Sequence, residues 1–451
     1  MKSRNFNKLS IVILLATMLL TANLISAKSI EKSMDEYLSY YTEAGSFSGV
    51  VLVAKDDQII FSQGYGYADY ELDEKNTEEN IFRIGSLTKS FTAVSIMQLE
   101  ERDMIDLNDP ISKYIEDFPK GDVITIHHLL NHTSGIFSFT RLPEYRENIY
   151  KALPPKEVIN LIKDKELDFE PGSQFGYSNS NYILLGYIIE QVSGQSYEAY
   201  LQKNIYQPLN MKNSGLAHYQ KLIKGRTNGY QYDYKGRKLN IQADNAITAH
   251  AAGGLYSTVD DLYKWDQSFY DNKLLSQKST NKIFNDYKDG FAYGWKIDEL
   301  FGHKRVYHNG RSYGFTASIS RYVDDNVTII VLTNLINTPI DRIITGLAAI
   351  VFEQDYLIPP EKDQVELKDI ENYTGTYKVN DRFQMKILNK DGVFYCQMGH
   401  QNPRQVVVLS ENEFMVKLEG DRIRFIEDSN GNITRLILEM AQQTIPAKKV
   451  K

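Results

Sequence analysis

Strand-like runs stand at both ends of a long, mostly helical stretch, and that arrangement limits the fold more than any single motif. Phe47 to Ala54 and Gln58 to Gln63 read as two strands around the polar turn Lys55-Asp56-Asp57, a hairpin. Arg305 to His308, Thr316 to Tyr322 and Val327 to Thr333 read as three consecutive antiparallel strands. Between about 86 and 275, helical patterns and long loops dominate. Leu87, Phe91, Val94 and Met97 recur at helical spacing, one face of a helix beginning at Ser86. Residues 30–44, and the run from about Ile340 to Phe352, read as helices. The expected class is α+β. Distant parts of the chain form one antiparallel sheet, flanked by N- and C-terminal helices, with a large helical insert. The active site is expected between sheet and insert.

The remaining segments suggest further divisions. Residues 1–27 read as a signal peptide: Lys2, Arg4 and Lys8 precede an apolar run from Leu9 that ends in Ser26 and Ala27. An uncleaved anchor is the alternative. The expected main domain is 28–356. A linker follows at 357–364, around Pro359-Pro360. Residues 365–451 alternate short strands with the turns Asp391-Gly392, Gly420-Asp421 and Asn430-Gly431, a small all-β barrel.

Charge and cysteine content exclude several functions. A net charge of −7 offers no bulk attraction to nucleic acid. The single cysteine, Cys396, permits neither an intrachain disulfide nor a cysteine-based zinc cluster. It sits in a strand-like run and reads as a packed thiol. His127, His128 and His132 cluster without an H-E-x-x-H pattern, so no metal site and no cofactor are expected.

The chemistry is expected in three short motifs. Ser86 and Lys89 are three apart on a helix and share a face. A serine hydroxyl needs a group to take its proton, and a partly neutral lysine can do so. Alone, this spacing is more often a solvated surface pair. Tyr177-Ser178-Asn179 precedes an apolar helix. A tyrosine there can move protons and Asn179 can bind a substrate carbonyl. His308-Asn309-Gly310 ends a strand, and its glycine permits a close backbone approach. The N–H groups of Ser86 and Arg311 can then make a two-donor oxyanion hole.

In order and approximate spacing, Ser86-x-x-Lys89, Tyr177-x-Asn179 and His308-x-Gly310 resemble the three motifs of penicillin-binding proteins and class C β-lactamases. Phe47-Ser48-Gly49-Val50 is similar to the family's first strand. Asn131-His132-Thr133-Ser134-Gly135, Pro208-Leu209-Asn210-Met211 and Ala252-Gly253-Gly254-Leu255 are similar to further landmarks. The likeness covers about residues 30–355, and the tail resembles a lipocalin-like domain. His308 stands where most relatives carry lysine, which looks like the branch of D-alanyl-D-alanine carboxypeptidases, D-peptidases and esterases. The resemblance implies an exported serine hydrolase with Ser86 as nucleophile, Lys89 and Tyr177 as proton-transfer groups, and Asn179, His308, Asn309 and Gly310 binding substrate. Expected substrates are small peptides, amides or esters, including peptidoglycan-derived ones. The alternatives are a β-lactamase and a non-catalytic cell-wall binding protein.

Overall fold

A run of small and β-branched residues forms β1 (Gly49–Lys55), which is buried on both faces through Ala54. β2 (Gln58–Tyr65) follows across a two-residue turn. Asp56 and Asp57 both take positive φ there, 52° and 62°, as a tight hairpin of this handedness requires. The structure is a computed structural model. It describes residues 30–450 apart from 148–149, 219–220, 234–236, 242–244, 359–362, 368, 382, 400, 402, 418–420 and 441–442. The expected signal segment, 1–27, lies outside the described residues.

Four later strands complete the sheet: β3 (Lys296–Leu300), β4 (His303–Ser312), β5 (Phe315–Tyr322) and β6 (Val327–Thr333). Their order is β3-β4-β5-β6-β1-β2. β1 pairs with β6 from Gly49↔Thr333 to Lys55↔Val327, so the two distant halves of the chain meet at the centre of the sheet. This is the expected α+β antiparallel sheet. β3 escaped the sequence reading because Lys-Ile-Asp-Glu-Leu carries three charges in five residues.

The insert supplies α2 (Thr88–Glu101), α3 (Asn179–Ser193), α4 (Ala246–Gly253) and α5 (Val259–Gln267). Sequence periodicity suggests one buried face on α2. The structure buries it all round, from Thr88 to Leu99. Its serine hydroxyls are satisfied locally: Ser90 donates to Leu87 O at 2.8 Å and Ser95 to Phe91 O at 2.9 Å. That is how a helix with polar residues on every side becomes a core helix. Asp266 of α5 pairs with Arg321 of β5 and accepts from Thr328 of β6 at 2.7 Å, which ties insert to sheet.

The chain divides into two compact units. One holds Phe47–Asp233 and Lys238–Ile340, and the other holds Asp35–Ser46 and Asp341–Lys451. In the second, the N-terminal helix (α1, residues 30–43) meets α6 (Ile340–Val351). Tyr37 donates to Arg342 O at 2.8 Å, and its ring covers Gly346, where a Cβ would lie 2.1 Å from it. The same unit contains a closed barrel of eight antiparallel strands, β7 to β14: Gly375–Lys378, Gln384–Lys390, Val393–Met398, Arg404–Ser410, Glu413–Val416, Arg422–Glu427, Ile433–Met440 and Gln443–Val450. Each pairs with its sequence neighbour, and β7 closes on β14. Tyr377, Phe394, Phe414, Phe425 and Leu436 fill its core, with the Cys396 thiol buried among them.

Candidate active site

Two glycines let two backbones touch at Ser86. Gly85, at φ +50°, opens a short 3₁₀ turn over Gly85–Leu87, and α2 begins only at Thr88. Ser86 therefore precedes the α-helix instead of opening it. Thr88 closes the turn by donating to Gly85 O at 2.7 Å. A Cβ on Gly310 would lie 1.9 Å from Ile84 O and 3.2 Å from Ser86 N. A Cβ on Gly85 would lie 2.6 Å from Arg311 N. Any side chain at either position would part β4 from the turn. The pairing of β3 with β4 ends at Lys296↔Tyr307, so His308 to Ser312 extend past the end of β3, beside Ser86.

Lys89 is fully buried. Burial holds its pKa well below the usual lysine value. Its Nζ lies 2.6 Å from Ala252 O, 2.8 Å from Asn179 Oδ1 and 3.1 Å from Ser86 Oγ. The first two are carbonyl oxygens, which only accept. A neutral amine has two N–H groups and one lone pair, so these acceptors take both hydrogens. In that neutral form the lone pair is left for the Ser86 hydroxyl. Asn179 is itself held: its N–H donates to Ser138 Oγ at 3.2 Å, and its Nδ2 to Thr140 Oγ1 at 3.4 Å.

Tyr177 and His308 complete the polar centre. Burial raises the Tyr177 pKa well above the usual phenol value, opposed by a hydrogen bond with Ser86. The residue is 37% exposed. Solvent there weakens the shift without reversing it, so the phenol is protonated at rest. Its ring lies against His132, centroids 4.4 Å apart. His132 accepts from Ser178 N at 3.3 Å and is buried in neutral form. His308 is buried with its ring 6.3 Å from Tyr177. Burial lowers its pKa to about 3. Its Nδ1 lies 2.6 Å from Asn309 O. A carbonyl cannot donate, so Nδ1 carries the proton and Nε2 the lone pair.

The structure thus gathers Ser86, Lys89, Tyr177, Asn179, His308, Gly310 and Arg311. The Asn309 side chain accepts from Ser318 Oγ on β5 at 2.8 Å. Beside Ser86 opens a cavity of about 330 Å³, lined by Phe139, Tyr145, Ala249, Tyr313, Ile336 and Arg311 among others. Apart from Arg311, sequence reasoning missed those walls and the Ala252 carbonyl. The only signal was the landmark Ala252-Gly253-Gly254. His127 and His128 have local partners: His127 Nδ1 pairs with Tyr293 OH at 2.6 Å, and His128 caps a short helix with Thr125.

Residues 29–349 match the protein family described as Beta-lactamase. The chain belongs to the beta-lactamase family. Among similar family members is penicillin-binding protein 4* of Bacillus subtilis (strain 168), 26% identical over 85% of this chain and 91% of that protein. Another is the teichoic acid D-alanine hydrolase of Staphylococcus aureus (strain MRSA252), 29% identical over 67% of this chain and 73% of that protein. Among solved structures, the octameric penicillin-binding protein homologue from Pyrococcus abyssi is 26% identical. It superposes with a TM-score of 0.67 over 92% of this chain and 99% of that one. The family and these relatives make this chain a serine hydrolase of the beta-lactamase family. Among the described residues, no helix is long and apolar enough to cross a membrane.

Proposed function

We propose that the chain is an exported hydrolase that forms an acyl-enzyme at Ser86 on D-alanyl amides or esters. The observation that carries this reading is the buried Lys89, whose two carbonyl acceptors direct its lone pair at Ser86 Oγ. Lys89 takes the serine proton as Ser86 attacks the carbonyl carbon. Tyr177, a neutral phenol hydrogen-bonded with Ser86, delivers a proton to the departing amine or alcohol. The N–H groups of Ser86 and Arg311 hold the oxyanion, supported by the close approach of Gly85 and Gly310. Asn179 orients the acyl group, while His308, Asn309 and Gly310 line the substrate's path along β4. The small apolar cavity suits a compact acyl side chain. A named relative hydrolyses D-alanine from teichoic acid, which favours D-alanyl substrates. A buried lysine with a lowered pKa beside a serine favours a catalytic over a non-catalytic role. We also propose that residues 365–451 are a separate lipocalin-like module joined through 357–364.

The test is an intact-mass time course with a penicillin, D-alanyl esters and D-alanyl amides, run beside Ser86→Ala and Lys89→Ala. Expected are adducts or turnover in the wild type and neither in the variants. Turnover retained in Ser86→Ala would remove the mechanism. Fast clearance of a penicillin adduct would move the reading to β-lactamase.

A further inference from the structure

His250 carries two features that packing alone does not explain. It sits inside α4 with φ +36° and ψ −127°, a backbone conformation that strains any residue with a side chain. It is also buried, and its Nδ1 finds no hydrogen-bond partner among the described residues. Its other ring nitrogen, Nε2, lies 3.5 Å from Glu190 Oε1 on α3. The same carboxylate oxygen accepts from Tyr197 N at 2.9 Å. The Tyr197 ring packs on the imidazole, centroids 4.8 Å apart, and the Tyr197 hydroxyl meets Thr92 Oγ1 at 2.7 Å. Thr92, one turn beyond Lys89 on α2, donates to Ala251 O at 2.7 Å. The next carbonyl, Ala252 O, is the one that holds Lys89 Nζ. Gly186 lets α3 lie flush on this segment: a Cβ there would meet Ala251 Cβ at 2.5 Å and His250 Nδ1 at 2.9 Å.

We propose that His250 and Glu190 form a latch that aims the Ala252 carbonyl at Lys89, and so points the lysine lone pair at Ser86. His250 is thus a positioning residue, not a catalytic one. The kinked backbone turns the Ala251 carbonyl to Thr92 and the Ala252 carbonyl into the site. The imidazole clamped to Glu190 keeps the kink from relaxing. This rests on the acyl-enzyme reading for its effect on rate, but its effect on Lys89 does not. The other titratable groups around Lys89 are Tyr177, Tyr182, His132 and His308, none of them on α4.

The experiment compares wild type, His250→Gly, His250→Gln and Glu190→Ala in the full chain. Acylation by a fluorescent penicillin gives the rate at saturation and the half-saturating concentration. The titration of Lys89 is followed by NMR of ¹³C-methylated lysines. His250→Gly and Glu190→Ala are expected to slow acylation about tenfold or more, as misplacement of a reacting group does, with half-saturation changed less than about twofold. His250→Gln, which keeps a donor for Glu190, restores most of the rate. The Lys89 midpoint moves in His250→Gly and stays near wild type in His250→Gln. Melting temperatures within a few degrees of wild type separate positioning from folding. An unchanged acylation rate and Lys89 midpoint in His250→Gly would overturn the latch, as would a loss that follows the melting temperature and is not rescued by glutamine. If wild type forms no adduct with the penicillin, Ser86-dependent turnover of a D-alanyl ester gives the rate instead; if that is also absent, the acyl-enzyme reading falls, and the Lys89 midpoint alone decides the latch.

Discussion

A histidine kept neutral at the centre of a cleft stores a pH response. The His308 pKa is lowered to about 3 in the fold, against 6.5 for the free side chain, because burial opposes its protonation. Between those values the unfolded chain binds a proton that the native chain does not. Stability therefore rises with pH across this window and is lost as pH falls through it. His132 is displaced in the same direction and adds to the slope. The urea midpoint is expected to drop steadily from pH 6.5 downward, and His308→Asn should flatten part of that drop. Equal slopes in wild type and variant would show that His308 does not titrate this way. At neutral pH the same neutrality leaves Tyr177 without a permanent cation at His308, which suits a proton donor better than a resting phenolate.

At the scale of elements, the insert and the sheet are tied through buried charge. Arg321 on β5 and Asp266 on α5 have side-chain exposures of 1% and 0%, and the guanidinium lies over the rings of Phe269 and Phe284. Breaking such a pair from one side leaves an uncompensated charge in the core. Asp266→Ala is expected to cost about 3–5 kcal/mol by urea unfolding. Asp266→Leu combined with Arg321→Met should cost less than Asp266→Ala alone, since neither charge then remains. A double variant as unstable as the single one would mean that the pair is held by geometry the apolar residues cannot fill. The same elements define the site: β4 presents Gly310 to the Ser86 turn, and α4 presents Ala252 O to Lys89.

Across the whole molecule, each unit has its own apolar core. The unit with the barrel also holds α1 and α6. There, Arg342 of α6 meets Asp421 at 2.5 Å and the Tyr40 hydroxyl donates to Lys417 O at 3.3 Å. The ion pair is only partly exposed, so Arg342→Ala is expected to lower stability by about 1 kcal/mol, seen as a small fall in the urea midpoint. No change would show that the pair is fully screened.

What the sequence determined by itself follows from local physics. Strand-like runs at 47–63 and 305–333 mark the sheet because apolar, β-branched residues suit a buried strand wherever they occur. The three-residue spacing of Ser86 and Lys89 puts them together on any helical turn, and turn dipeptides such as Asp391-Gly392 mark the barrel's hairpins. Other properties needed the tertiary structure. One S-x-x-K pair can be solvated or buried, and only the packing of α2 among α3, α4 and the sheet buries Lys89 and holds its pKa well below the usual lysine value. The Ala252 carbonyl, the walls of the cavity and the neutrality of His308 likewise depend on residues far apart in the chain. Desolvation and hydrogen-bond direction are set by what surrounds an atom in space, and a single sequence does not list those neighbours.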